Sequence, residues 1–285
     1  MAINKNSNVY IIIYTIVMVV IVGALLAFLA TSLKPMQDEN KLKEKKNAIM
    51  KAFKAEGDFD KLVTIYRLNG TELTEVEKDA QAVIFEELEK RGDLAKAEKD
   101  LPLFKYAEGD VVKYVIPLVG KGLWGDIWGY ASVQPKDGNV VITGIVMDHA
   151  GETPGLGAEI ATDKVQGLFV DKALYNEAKE FAVRMQKGGA RNDHEVDAIT
   201  GGTKTCDGVN AMLKDCISKY EAFLKAEAGA VAADTTASEV EPAEATEADA
   251  AEATEADAAE ATDAVEASEG EPAEEIVEPT NVEEK

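Results

Sequence analysis

The chain has 285 residues, of which 30 are Lys or Arg and 53 are Asp or Glu, giving a formal net charge of −23 at pH 7. Nineteen of the acidic residues and a single lysine lie from Ala228 onward, so this segment carries −18 and the remainder only −5. Because no basic face interleaved with aromatic residues appears, nucleic acid is excluded as an expected partner.

The cysteine and histidine residues exclude two further kinds of site. Cys206 and Cys216 lie about 15 Å apart on one predicted helix, too far for a disulfide, and we expect both to pack as small apolar residues. His149 and His194 lack ligand spacing to a cysteine pair, so we expect no metal site.

The first predicted element is an apolar helix over residues 9–33. No charged residue lies between Lys5 and Lys34. At about 1.5 Å per residue, a helix of this length crosses a hydrocarbon core of about 30 Å. A cleavable signal peptide would have a shorter apolar region and a small-x-small cleavage site, and neither is clear here. We therefore expect one retained membrane anchor after a short N-terminal segment, 1–8.

After the anchor, the charged stretch 34–57 predicts a juxtamembrane helical stalk that stands off the membrane. Residues 58–227 are expected to form an α+β domain, with an antiparallel sheet and flanking helices. VVKYVIPLVG (111–120) is typical of a strand, and PKDG (135–138) predicts the turn of a hairpin within a β-meander. From Cys206 to Leu224 the apolar residues recur near a period of 3.6, which predicts one closing helix.

Residues 228–285 are expected to form a disordered or transiently helical tail. The octad EATEADAA begins at Glu244 and recurs at Glu252, with almost no large apolar side chain. Such a composition cannot build a core, so we interpret the tail as an extension that is not part of the active unit.

The stretch DAITGGTKTCDGV (197–209) combines two glycines and three threonines at the start of the closing helix, near Thr205. Glycines there let backbone N–H groups approach an anion, and the helix N-terminus favours negative charge. The stretch therefore predicts a phosphate site, although a plain loop with a threonine cap fits the same residues.

Two glycine-rich segments accompany this loop. GKGLWGDIWGY (120–130) places Trp124 and Trp128 on a predicted strand, either as core residues or as a flat wall for a planar ring. HAGETPGLGAEI (149–160) offers Glu152 and Thr153 as polar contacts, and a structural loop is the alternative.

Four motifs, GKGLW, GETPGLGAE, KGGA and DAITGGTKTCDGV, occur in this order. Together they resemble the C subunits of the sodium-translocating NADH:quinone reductases and, more distantly, the G subunits of the Rnf complexes. The resemblance covers the anchor and about residues 36–225. The family's flavin-site pattern, Asp-x-x-Ser/Thr-Gly-Ala-Thr, is matched by Asp197, Thr200, Gly201 and Thr203, with Thr205 as a later hydroxyl residue.

The resemblance implies an FMN joined through its phosphate to Thr203, in a phosphoester made by a separate flavin transferase. Gly202 stands where the family pattern has alanine. Thr200, Gly201, Gly202 and Thr205 would surround the attachment point, and Lys187 would approach the phosphate. The resemblance also implies a pocket for the isoalloxazine ring lined by Trp124, Glu152, Thr153 and Leu156.

The implied function is that of an electron carrier in a sodium-pumping respiratory complex, relaying electrons from NADH towards quinone. The expected partners are the other subunits of that complex, the flavin transferase and membrane lipid. No residue is expected to act on a substrate as nucleophile or general base. An Rnf-type carrier and a non-catalytic, membrane-tethered binding module are the alternatives.

The implied location is the bacterial inner membrane, with the large domain on the periplasmic side. The charges indicate the opposite orientation, because lysines follow the anchor more densely than they precede it. Since long domains translocate despite such charge, we favour the orientation that the resemblance implies.

Overall fold

The computed structural model describes residues 8–109 and 111–238, without the side chains of Glu108 and residues 234–238. The predicted N-terminal segment, apart from residue 8, and the acidic octads lie outside the described residues.

Helices and short strands surround a run of longer strands. The helices are α1 (Asn8–Phe53), α2 (Phe59–Leu62), α3 (Gln81–Glu89), α4 (Arg91–Lys96), α5 (Asp163–Gly167), α6 (Thr203–Ser218) and α7 (Glu221–Ser238). The strands are β1 (Val63–Asn69), β2 (Glu72–Glu75), β3 (Leu101–Glu108), β4 (Val111–Lys121), β5 (Asp126–Lys136), β6 (Asn139–His149), β7 (Arg184–Gln186) and β8 (Glu195–Asp197). Short 3₁₀ turns occupy Lys78–Ala80 and Gly157–Ala161.

The main sheet has six strands in the order β2-β1-β3-β4-β5-β6, and every neighbouring pair is antiparallel. The predicted α+β class, meander and hairpin are therefore confirmed. Asp137 and Gly138, at the tip of that hairpin, have φ angles of +50° and +71°. An Asp-Gly pair tolerates these angles, which match the twist of the two flanking strands.

The two faces of this sheet bury different helices because side chains alternate along each strand. On β4, Ile116 and Leu118 belong to the core shared with α6 and α7. Val115 points the other way, into a second core with Phe53 of α1 and Phe85 of α3. Helices therefore cover both faces of the sheet.

Helix α1 is, among the described residues, the one helix long and apolar enough to cross a membrane, judged by length and composition. It continues without interruption through Pro35 into the predicted stalk. The end of that stalk does not stand apart from the domain. Ile49, Met50 and Phe53 are buried against the sheet, so they fix the direction of the helix relative to the domain.

The predicted closing helix is in fact two helices. Its apolar residues are buried as expected, but α6 ends at Ser218 and α7 begins at Glu221. The second helix runs past the predicted boundary at residue 227 to Ser238, and Ala228 is buried. The periodicity missed the break because apolar residues recur on both sides of it.

Two buried tyrosines provide a matched test of the core. The hydroxyl of Tyr220 donates to the carbonyl of Pro102 at 2.8 Å, whereas the buried hydroxyl of Tyr175 has no partner among the described residues. Tyr220→Phe should lower the free energy of unfolding by about 1 kcal/mol or more, because it leaves a buried carbonyl unpaired. Tyr175→Phe should be neutral or stabilising. Denaturant unfolding of the full chain in detergent measures both, and equal losses would contradict this assignment.

Candidate functional site

The N-terminus of α6 lacks a side-chain cap. Thr203 is the first helical residue and Gly202 takes the cap position, with φ −105° and no side-chain hydrogen bond. The first helical hydrogen bond runs from the N–H of Cys206 to the carbonyl of Gly202. The N–H groups before Cys206 thus have no partner within the helix, which makes this end suited to an anion. The helix begins before Thr205, where the sequence predicted its start.

The three threonines of this stretch differ in exposure. Thr200, in the preceding turn, and Thr203 are exposed. Thr205 is only 1% exposed, and its hydroxyl donates to Glu152 Oε2 at 2.6 Å. Thr205 is therefore part of the interior rather than a cap, and its hydroxyl donates its hydrogen bond to Glu152 rather than capping the helix end.

Glu152 is buried, with 4% of its surface exposed, and it links three segments of chain. Oε2 accepts from Thr205 of α6, while Oε1 accepts the backbone N–H of Trp124, in the β4–β5 turn, at 2.8 Å. The backbone N–H of Glu152 donates to Nδ1 of His149, at the end of β6, at 3.2 Å. The carboxylate thus points into the protein and holds the loop after β6 to the turn and the helix.

Hydrogen bonding outweighs burial in setting the charge of Glu152. Burial by itself would raise the pKa of this carboxyl. The hydrogen bonds from Thr205 and from the N–H groups of Trp124 and Leu123 act in the opposite direction and hold its pKa below 4.5. Glu152 is therefore ionised at neutral pH.

Two glycines let the chain close around this carboxylate. A Cβ at Gly122 would lie 2.4 Å from Oε1 of Glu152, and one at Gly157 would lie 2.5 Å from Oε2 and 2.3 Å from the Thr205 hydroxyl. Only glycine leaves room for the oxygens at these positions. The spacing of glycines in GKGLW and GETPGLGAE is the sequence signal of this close approach.

Exposed apolar side chains lie beside this cluster. Trp124 is 70% exposed, and Leu123 and Leu156 are also exposed. Leu156 contacts the loop before α6, since a Cβ at Gly201 would lie 2.6 Å from its Cδ2. Trp124 belongs to the β4–β5 turn rather than to a strand, so both the strand placement and the core alternative are wrong for this residue.

Trp128 is on strand β5 and half-buried. The guanidinium carbon of Arg91 lies 3.2 Å from the centroid of its ring. Arg91 and Trp128 line a cleft of about 660 Å³ between α1 and the sheet, which includes neither Thr203 nor Glu152. The second tryptophan therefore belongs to another region.

The structure brings most of the expected site residues together. Trp124, Glu152 and Thr205 are joined by hydrogen bonds, and Leu156 lies against Gly201, next to Gly202 and Thr203. Thr153 is exposed, and its carbonyl accepts the N–H groups of Leu156 and Ala158. Lys187 is exposed directly after β7, and its approach to a phosphate stays a prediction.

Sequence reasoning missed His149 and Leu123 as neighbours of this site. His149 closes the stretch that precedes Glu152, and Leu123 precedes Trp124 in the same glycine-flanked turn. Neither residue stood out, because a lone histidine and an exposed leucine carry no spacing signal.

Comparison with known proteins identifies the same region. Residues 122–218 match the family model of the FMN-binding domain. The chain is 45% identical over 113 residues to the C subunit of the Na(+)-translocating NADH-quinone reductase of Pasteurella multocida, covering 39% of this chain and 43% of that protein. It is 30% identical over 232 residues to the protein of the same name from Neisseria meningitidis, covering 72% of this chain and 88% of that protein.

A solved structure shares the fold. The crystal structure of the C subunit of the Na(+)-translocating NADH-quinone reductase from Parabacteroides distasonis superposes with a TM-score of 0.56 at 32% identity, covering 67% of this chain and 96% of that one. With the Pasteurella multocida protein, by contrast, the alignment spans less than half of the relative's length.

The lowered pKa of Glu152 predicts how stability changes with pH. A carboxyl with a lowered pKa in the folded chain stabilises the fold above its unfolded pKa, and this stabilisation is lost as the pH falls through the folded value. Glu152→Gln should lower the free energy of unfolding by about 1–3 kcal/mol at pH 7. The difference from the wild type should shrink below pH 4.5.

Denaturant unfolding followed by circular dichroism at several pH values measures this difference. Glu72→Gln removes an exposed carboxylate and serves as the control, with an expected change of about 0.5 kcal/mol or less. A wild-type advantage over Glu152→Gln that stays constant through the acid range would show that the charge of Glu152 does not stabilise the fold.

Proposed function

Because the chain belongs to the family of the C subunits of Na(+)-translocating NADH-quinone reductases, we propose that it is a membrane-anchored electron carrier holding FMN covalently on Thr203. The observation that carries this proposal is the N-terminus of α6. There the exposed hydroxyl of Thr203 lies at a helix end whose N–H groups have no side-chain cap. The names of the relatives favour an NADH–quinone reductase over an Rnf-type carrier.

The residues present fit a flavin phosphate. A phosphodiester keeps one negative charge, which the N-terminus of a helix stabilises through its N–H groups and dipole. Neither Gly201 nor Gly202 adds a side chain of its own beside these groups. Lys187 would add a cation. The phosphate of an attached FMN would therefore find hydrogen-bond donors and compensating positive charge within the chain itself.

Exposure supports Thr203 as the acceptor. The transferase must reach a hydroxyl from outside, which excludes the buried Thr205. Thr203 and Thr200 are both exposed, but only Thr203 begins the helix. The Thr203 oxygen would form a bond to the flavin phosphorus of an activated donor, in which the flavin phosphate is linked to a nucleoside phosphate. The nucleoside phosphate would be the leaving group, and the hydroxyl proton would pass to a base of the transferase.

The apolar side chains beside the helix would hold the ring. Trp124 and Leu156 offer exposed apolar surface beside the Glu152 cluster, and Thr153 offers an exposed polar side chain. A bound FMN supplies transfer of one or two electrons, while the protein supplies position and electrostatics. The partners would be the other subunits of the complex, which provide the NADH and quinone sites.

Substitution of Thr203 tests the attachment point. Thr203→Ala should abolish covalent flavin and leave the domain folded, because an exposed hydroxyl contributes about 1 kcal/mol or less. The measurement is in-gel flavin fluorescence after denaturation of the full chain co-produced with the transferase. Thr200→Ala is the matched control and should keep its fluorescence, whereas a fluorescent Thr203→Ala would refute the assignment.

The domain is proposed to lie on the periplasmic side of the inner membrane. Lysines 34, 41, 43, 45 and 46 follow the anchor, but long domains translocate largely regardless of such charge. A reporter active only outside the cytoplasm should be active when fused after Ser238. The same reporter fused before residue 1 should be inactive, and the reverse pattern would overturn the orientation.

A further inference from the structure

We propose that Glu152 is a positioning residue. Its buried carboxylate fixes the first turn of α6 against the β4–β5 turn, so that the Thr203 hydroxyl and the Trp124 ring are held in one arrangement. It also places a negative charge beside the flavin site. This inference rests on the proposed function, and it changes the role expected for Glu152 from a direct ring contact to an internal support.

Thr205 sets the direction in which the first turn of the helix faces. Successive residues of an α-helix are about 100° apart, so Thr203 and Thr205 point about 200° apart around the axis. The hydrogen bond of 2.6 Å to Glu152 holds Thr205 inward. Thr203 is consequently directed outward, as its exposure requires.

The contacts of α6 differ between its first turn and its later turns. The later turns are held by other bonds, such as those of Asn210 to Met185 and of Cys216 to Val119. In the first turn, the Sγ of Cys206 accepts the N–H of Ile199, which lies in the loop directly before the helix. The Glu152–Thr205 bond connects this first turn to the segment after β6, which is distant in sequence.

The same carboxylate connects the helix to the wall of the ring site. The other oxygen of Glu152 accepts the N–H of Trp124 at 2.8 Å, so one side chain sets both the acceptor hydroxyl and the tryptophan turn. Removing the Thr205 hydroxyl takes from Oε2 its side-chain donor in a buried position, which is unfavourable. Loss of one contact should therefore disturb the other.

The charge has a consequence of its own. A carboxylate bonded to the backbone of Trp124 lies beside the proposed ring site and opposes additional negative charge there. An uncharged side chain of the same shape should therefore shift the reduction potential of the attached flavin to a more positive value. A residue with a purely structural role would not produce this shift.

The test uses the full chain co-produced with the transferase, and measures flavin loading per folded molecule together with the reduction potential. Thr205→Val and Glu152→Ala should each slow loading by about tenfold or more, because a small misplacement of a reacting group has effects of this size. The double variant should load no more slowly than the slower single variant. Thr205→Ser keeps the hydroxyl and should load like the wild type.

Glu152→Gln keeps an acceptor for the Trp124 N–H, and its amide N–H can donate to the Thr205 hydroxyl in place of the original bond. It should therefore load flavin and show the positive shift in potential. Three outcomes would each overturn this proposal while leaving the proposed function intact. They are wild-type loading rates in Thr205→Val and Glu152→Ala, additive losses in the double variant, and an unchanged potential in Glu152→Gln. A wild-type chain without covalent flavin would overturn the proposed function and this inference together. Circular dichroism of each variant supplies the folded fraction.

Discussion

The burial of one ionised carboxylate is the constraint on which the site depends. Because Glu152 is buried, its oxygens need hydrogen-bond donors from the protein in place of water. Thr205 donates to one oxygen and the backbone of Trp124 to the other. The helix, the β4–β5 turn and the loop after β6 therefore meet at this carboxylate, because only together do they supply donors to both of its oxygens. Gly122 and Gly157 permit this closure, because a side chain at either position would occupy the space of the oxygens.

This arrangement separates threonines that look alike in sequence. Thr205 is drawn into the interior, and Thr203 is left exposed at a helix end that has no side-chain cap. The departure at Gly202, where the family pattern has alanine, has little structural effect. Its φ of −105° suits any residue, and an added Cβ would approach Ile199 Cγ2 to 3.2 Å, a contact that a small shift relieves. The proposed phosphate site therefore does not depend on the special freedom of this glycine.

Much of the fold could be predicted because its signals are local. The Asp-Gly turn and the alternating residues of β4 to β6 indicated the meander directly, and the uncharged stretch indicated the anchor. Two features were beyond local patterns. The helix was expected to start near Thr205 because a threonine there suits a cap, yet the partner of its hydroxyl lies 53 residues earlier. Trp124 was placed on a strand because glycines and tryptophans in GKGLWGDIWGY do not show where the strand ends. The motif order indicated candidate site residues, but only the fold shows which way Glu152 points.

Attachment of the flavin to Thr203 is tested most directly by mass mapping of the wild-type chain. Lys204 separates the possible acceptors, since trypsin leaves Thr200 and Thr203 in the peptide 192–204 and Thr205 in the peptide 205–214. Fragmentation of the first peptide then distinguishes Thr200 from Thr203. We expect the mass of a phosphoester-linked FMN on Thr203 alone. A flavin on the peptide 205–214, or on Thr200, would contradict this attachment.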